Sequence, residues 1–136
     1  MERLAIIIRD DAYDRVLTPL AFAYLGAASG VEVDLLFVNW AVRLLSTGGE
    51  PAPVGGGHAG TDDWLRRQVA KAGLPTDVRE ILQALKATGR VRLYACSLAA
   101  QIFEVSEADL IPEADGIVGA TWFLEEKASR AQTQYF

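Results

Sequence analysis

The sequence predicts a three-layer α/β domain, a parallel sheet of four or five strands with helices on both faces. Three observations carry this. Apolar runs such as Leu4–Ile8 and Val31–Val38 are too continuous for strands with one wet face and fit strands buried on both sides. Between such runs lie segments whose apolar residues recur every three or four positions, the period of a helix. The two patterns alternate along the whole chain, which in one sheet calls for parallel strands joined by crossovers.

Taken in order, Leu4–Ile8 is an Ile-rich strand ended by Arg9-Asp10-Asp11. From Asp14 to Ala28 the positions Val16, Leu17, Leu20, Ala21, Tyr24, Leu25 and Ala28 make a helix face, with Gly30 as terminator. Pro19 requires either a place in the first turn or a kink. Val31–Val38 is the second strand and Ala41–Leu45 a helical stub. Ser46–Gly60 holds six glycines and two prolines and reads as a flexible surface loop that adds nothing to a core. Thr61 or Asp62 caps a helix to about Ala72, with Gly73 at its end and Pro75 beyond. Thr76 caps the next, whose Val78, Ile81, Leu82 and Leu85 keep helical spacing up to Gly89.

Val91–Ala95 is the third strand, followed at once by Cys96 and a helix over Ser97–Phe103. Ser106-Glu107-Ala108-Asp109 reads as a capping-box turn stopped by Pro112. Gly116–Gly119 is a fourth strand, Thr121–Arg130 a helix, and Gln134–Phe136 a short edge strand. Right-handed crossovers then give a flavodoxin-like sheet with expected order 2-1-3-4.

Composition narrows the function. The 136 residues make a single domain over 1–136, 51% apolar and 23% charged, the balance of a globular protein. With 13 Lys+Arg against 18 Asp+Glu, the net charge of −5 argues against nucleic acid and against polybasic membrane docking. The first apolar run is too short for a signal peptide and no run approaches a membrane span, so the expected location is cytoplasmic. One cysteine and one histidine exclude an internal disulfide, a Cys-rich zinc site and a His cluster. No metal site is expected. Gly55-Gly56-Gly57 follows no strand and lacks a phosphate-loop ending, and no dinucleotide fingerprint follows the first strand.

Ligands in such sheets gather at the carboxyl ends of the strands. Four segments fall there: Arg9-Asp10-Asp11, Asn39-Trp40, Cys96-Ser97 and Ala120-Thr121-Trp122. Cys96 lies at a strand end and a helix start, where free N–H groups favour a thiolate over a thiol of ordinary pKa near 8.5. Arg9 would add positive charge if the first and third strands were neighbours. A lone cysteine is more commonly inert packing, and Asp10-Asp11 more commonly a solvated turn. Trp40 and Trp122 would line a pocket near Cys96, though core or subunit contacts are commoner for such residues, and Glu125-Glu126-Lys127 reads as a solvated helix face.

The run Val91-Arg92-Leu93-Tyr94-Ala95-Cys96-Ser97, preceded by the Val78–Gly89 helix, resembles the cysteine segment of the DsrE/DsrF-like sulfur-relay family. Asp109-Leu110-Ile111-Pro112 and Asp115-Gly116-Ile117-Val118-Gly119-Ala120-Thr121-Trp122-Phe123-Leu124 are similar to its following segments. The opening strand with Asp10-Asp11 is similar in style, so the resemblance covers nearly the whole chain. It implies a flavodoxin-like domain, often assembled as trimers or hexamers, in which the cysteine after the third strand takes sulfane sulfur as a persulfide and passes it to a partner. That role falls on Cys96 alone. The implied scheme uses no cofactor. With no resolving cysteine, donor and acceptor are other molecules, most naturally proteins. Backbone N–H groups of Ser97 and Leu98 would hold the anion, with Arg9 as a weaker stabiliser. Asp10, Asp11, Asn39, Trp40, Thr121 and Trp122 would form the surrounding pocket.

The expected function is therefore sulfur transfer, as a carrier or sulfurtransferase. The alternative is a non-catalytic oligomeric module that binds a ligand or partner and keeps Cys96 inert. A peroxide-reactive thiol fits less well, for want of a resolving cysteine. The apolar content on a short chain points to a subunit interface.

Overall fold

Ile6, Ile8, Leu35, Phe37, Leu93 and Ala95 are all buried, so the apolar runs form strands covered from both sides, as their composition requires. The computed structural model describes residues 1–136. β1 (Arg3–Ile8) leads through α1 (Tyr13–Ala28) to β2 (Glu32–Phe37). A 3-10 segment, Asn39–Leu45, and a long loop lead to α2 (Asp62–Lys71), α3 (Val78–Ala87) and β3 (Val91–Cys96). After α4 (Ser97–Ile102) and a 3-10 turn, Glu107–Asp109, come β4 (Gly116–Val118), α5 (Ala120–Glu126), a 3-10 turn at Ala128–Arg130, and β5 (Gln132–Tyr135). No helix is long and apolar enough to cross a membrane.

All strand pairs are parallel, and their order is β4-β3-β2-β1-β5. This corrects the expected order 2-1-3-4: β2 stands between β1 and β3. Strand patterns identify strands but carry no label for their neighbours. The first three connections each step one strand in the same direction, so right-handed crossovers put their helices on one face. The last connection returns across the sheet and puts α5 on the other. Contacts agree with this division. A Cβ at Gly26 of α1 would lie 3.4 Å from Leu4 and from Val33, whereas α5 lays Phe123 and Trp122 against Tyr94 of β3.

Two local readings change, and one of the two alternatives for Pro19 drops out. The buried side of α1 is Tyr13, Val16, Pro19, Leu20, Ala23, Gly26 and Ala27, so the stripe expected from spacing is rotated: Ala21, Tyr24, Leu25 and Ala28 face outward. Apolar residues surround this helix, and periodicity alone cannot choose between two apolar sides. Pro19 sits in the helix interior, outside the first turn. The cap of α3 is Asp77, one residue after Thr76, and its carboxylate accepts the Arg79 N–H at 2.8 Å.

The Ser46–Gly60 segment also contributes to the core, contrary to expectation, because Val54 is buried there. Its backbone is tied to the end of β1, with Tyr13 N–H donating to Ala52 O (2.9 Å) and Ala52 N–H to Asp11 O (2.8 Å). The Asp62 carboxylate accepts the Val54 N–H at 2.9 Å. Three of its glycines lie at left-handed φ (Gly48 at 77°, Gly56 at 62°, Gly60 at 82°), which lets a Gly-rich chain turn back onto the body of the domain.

At the opposite end of the sheet, hydrogen bonds from Arg92 and Arg90 hold Glu32 below the usual glutamate pKa. A carboxyl with a lowered folded pKa adds stability above its unfolded pKa, about 4.3, and loses it as pH falls through the folded value. Urea midpoints measured from pH 6 downward should therefore fall less steeply for Glu32→Gln than for the wild type, with the two curves meeting in strong acid.

Candidate functional site

The strand order locates the site. Ligand crevices in open α/β sheets form at the carboxyl ends, between neighbouring strands whose onward connections leave to opposite faces. Here β3 runs on into α4 on one face, and β4 runs on into α5 on the other. The β3–β4 gap is thus the switch point, and the residue ending β3 beside it is Cys96, in register with Val118.

The local sequence enforces this. Asp115 continues β4 backward: its N–H donates to Leu93 O (2.7 Å), and its carboxylate accepts the Leu93 N–H (2.7 Å) and Lys86 Nζ (2.7 Å). β3 is thereby locked to β4 below the crevice. Above it, Cys96 is the N-cap residue of α4 with extended backbone angles, and Ser97 and Leu98 open the helix, where N–H groups lack intrahelical acceptors. Both are exposed, while Cys96 itself is 5% exposed and unpaired.

Alternation along β3 gives Cys96 the face of Tyr94. That face carries α5, and Trp122 meets the Tyr94 ring edge-on at 5.6 Å, with Phe123 at 6.3 Å. On the other side, Trp40 follows β2 and lies 4.7 Å from Phe103 at the end of α4. Asn39 before it adopts φ 51°, which turns the chain out of β2 into the 3-10 segment. Thr121 is exposed on α5, next to Trp122. Exposed apolar groups stand on the segments that follow β2, β3 and β4: Trp40, Leu98 and Trp122.

The residues after β1 belong elsewhere. Arg9 lies over the Tyr135 ring at 5.4 Å, and its N–H donates to Phe136 O at 3.1 Å. Two strand spacings, roughly 10 Å of backbone, separate β1 from β3, so the adjacency on which Arg9's role depended does not exist. Asp10 accepts the Ala12 N–H at 3.0 Å and lies 3.6 Å from Arg15. Asp11 is buried and paired with Arg43. With Asp14, Thr18 and Phe136, Arg9 and Asp10 line a cleft of about 390 Å³ that does not reach Cys96.

Residues that sequence reasoning passed over are Tyr94 as a wall of the site and the pair Asp34–Lys127 beneath it. Lys127 is not on a solvated face, since its side chain is 19% exposed and lies 3.5 Å from Asp34 Oδ1. The available signal was Asp34 itself, a carboxylate in the middle of a buried strand that requires a cation from another layer.

The DsrE/DsrF-like family model matches residues 2–126. The chain belongs to the DsrE/DsrF-like family. Its fold is similar to that of the YchN protein from E. coli, with a TM-score of 0.70 at 18% identity over 100% of both chains. It is also similar to MTH1491 from Methanobacterium thermoautotrophicum, a protein of unknown function, with TM-score 0.62 at 14% identity over 100% of both chains. BT1422 from Bacteroides thetaiotaomicron, likewise of unknown function, gives 0.63 at 11% identity, covering 99% of this chain and 95% of that one. No curated protein sequence matches. At these identities the neighbours establish a shared DsrE-like α/β fold, and family membership is consistent with a place in sulfur relay.

Proposed function

We propose that this DsrE/DsrF-like chain carries sulfane sulfur on Cys96 between a donor and an acceptor protein. The observation that carries the reading is the placement of its one cysteine at the β3–β4 switch point, at the start of α4, in a chain of this family. The Cys96 thiolate attacks the outer sulfur of a donor persulfide. A Cys96 Sγ–S bond forms, the donor S–S bond breaks, and the donor leaves as a thiolate. An acceptor thiolate then attacks the outer sulfur, restoring the Cys96 thiolate and gaining the persulfide. The two steps are exchanges with no net oxidation. In this reading the Ser97 and Leu98 N–H groups hold the anion once it forms, and Trp40, Leu98 and Trp122 supply its apolar surround.

The same reading includes a cytoplasmic homo-oligomer, a trimer or hexamer. Its support is the outward side of α1, where Phe22, Tyr24 and Leu25 (62%) are exposed together.

A second reading is favoured by one observation. Cys96 is 5% exposed, which suits an inert packing residue in a binding module. Intact-mass analysis after incubation with polysulfide separates the two. Sulfur transfer requires an adduct of about 32 Da on the wild type and none on Cys96→Ser, with both proteins equally folded. An unmodified wild type, or an adduct that survives Cys96→Ser, would sink the sulfur reading. Native mass spectrometry of the same samples reports the assembly, and a monomer at micromolar concentration would remove the oligomer from the proposal.

A further inference from the structure

Asp34 lies in the middle of β2 at 2% exposure, and its Oδ1 accepts no hydrogen bond. The residue in register with it on β3 is Arg92, a cation. Yet Arg92 Nη2 turns to Glu32 Oε1, 3.2 Å away. Asp34 is answered from the helix layer instead, by Lys127 Nζ at 3.5 Å. Lys127 closes α5, and its N–H donates to Phe123 O at 2.9 Å. The ammonium therefore ties the end of α5 to the centre of the sheet. It also lies 5.8 Å from the Tyr94 ring centroid and 5.7 Å from that of Trp122, within cation–π range of both.

A buried ion pair stabilises a fold poorly, because desolvation offsets most of the attraction, and in some proteins its role is to select one arrangement. The arrangement constrained here is the seat of Trp122. We infer that the Lys127–Asp34 pair is a positioning device for Cys96: it holds Trp122 across Tyr94 and so limits how far the thiol opens to reagents. Neither residue touches the reacting sulfur. Both act through α5. The inference rests on the sulfur-transfer reading for what the opening admits, and stands apart from it for the opening itself.

The test uses the full chain with Trp40 and Trp64 replaced by Phe, so that Trp122 is the one tryptophan left. Lys127→Met keeps the length and removes the charge, while Lys127→Arg keeps the charge. Relative to the background protein, Lys127→Met should raise acrylamide quenching of Trp122 about twofold and the rate of Cys96 alkylation by N-ethylmaleimide about fivefold, as local opening does. Lys127→Arg should return both toward background. Asp34→Asn, which leaves the ammonium without its carboxylate, should act like Lys127→Met and serves if that variant folds poorly. Unchanged quenching and alkylation in the folded charge-removing variant would overturn the inference. So would a change that Lys127→Arg fails to reverse. A wild type that takes up no sulfur, in a protein whose Trp122 still loosens with Lys127→Met, upholds the positioning and removes the sulfur-transfer reading.

Discussion

Phe123→Ala is expected to cost about 3–5 kcal/mol, the usual range for emptying a buried Phe site. Phe123 is fully buried and is the one buried side chain of α5. The helix has seven residues, too few to hold together without packing. The remaining residues of α5 cannot refill the space, since Thr121 and Leu124 are exposed and Trp122 is already placed against Tyr94. Domains of this size have about 5–15 kcal/mol in all, so the variant should keep its fold with a urea midpoint lower by about 2 M at an m-value near 2 kcal/mol/M. A loss under about 1 kcal/mol would mean that α5 is not anchored through this ring.

Arg43→Ala should cost about 3 kcal/mol, by leaving the buried Asp11 carboxylate without its cation. The low end of the range for breaking such pairs applies because the Arg43 side chain is 37% exposed. The pair joins the end of β1 to the 3-10 segment after β2, close to where Ala52 is hydrogen-bonded to Asp11. Its loss should therefore loosen the long loop together with the end of β1. Asp11→Asn should cost less, and adding it to Arg43→Ala should restore part of the stability. A double-mutant cycle in urea measures this, and simple additivity of the two single variants would refute the coupling.

Much of the architecture was legible because it rests on local chemistry. β1, β2 and β3 are written as apolar runs, and α3 as a strict three-and-four spacing ended at Gly89. The capping box at Ser106–Asp109 forms with both of its bonds. What stayed hidden depends on partners far away in sequence. The outward side of α1 is as apolar as its buried side, so only the sheet decides which is covered. Val54 reads as an isolated valine among glycines until the end of β1 supplies hydrogen-bond partners for its neighbours. Lys127 reads as a wet lysine until β2 supplies Asp34.

The candidate site divides in the same way. Cys96, Ser97 and Leu98 fall at the β3–α4 junction and Trp122 in the first turn of α5, because strand-to-helix junctions are marked in the local sequence. Arg9, Asp10 and Asp11 were drawn toward Cys96 by an assumed neighbour relation between β1 and β3, and the position of β2 removes it.

The pairing of β1 with β5 has a temporal consequence. Leu4 lies opposite Gln132, and Ile7 opposite Tyr135, across almost the entire chain. During synthesis the Ile-rich edge of β1 is made before the sheet's other four strands and meets its outer partner last. Contacts of such long sequence separation slow folding, since the intervening chain must be ordered before they form. Until then the nascent protein presents an open apolar edge, the kind that recruits strands from other chains. The strand that finally closes it, Gln132-Thr133-Gln134-Tyr135, is largely polar. The finished sheet therefore ends in an edge far less adhesive than the one it conceals.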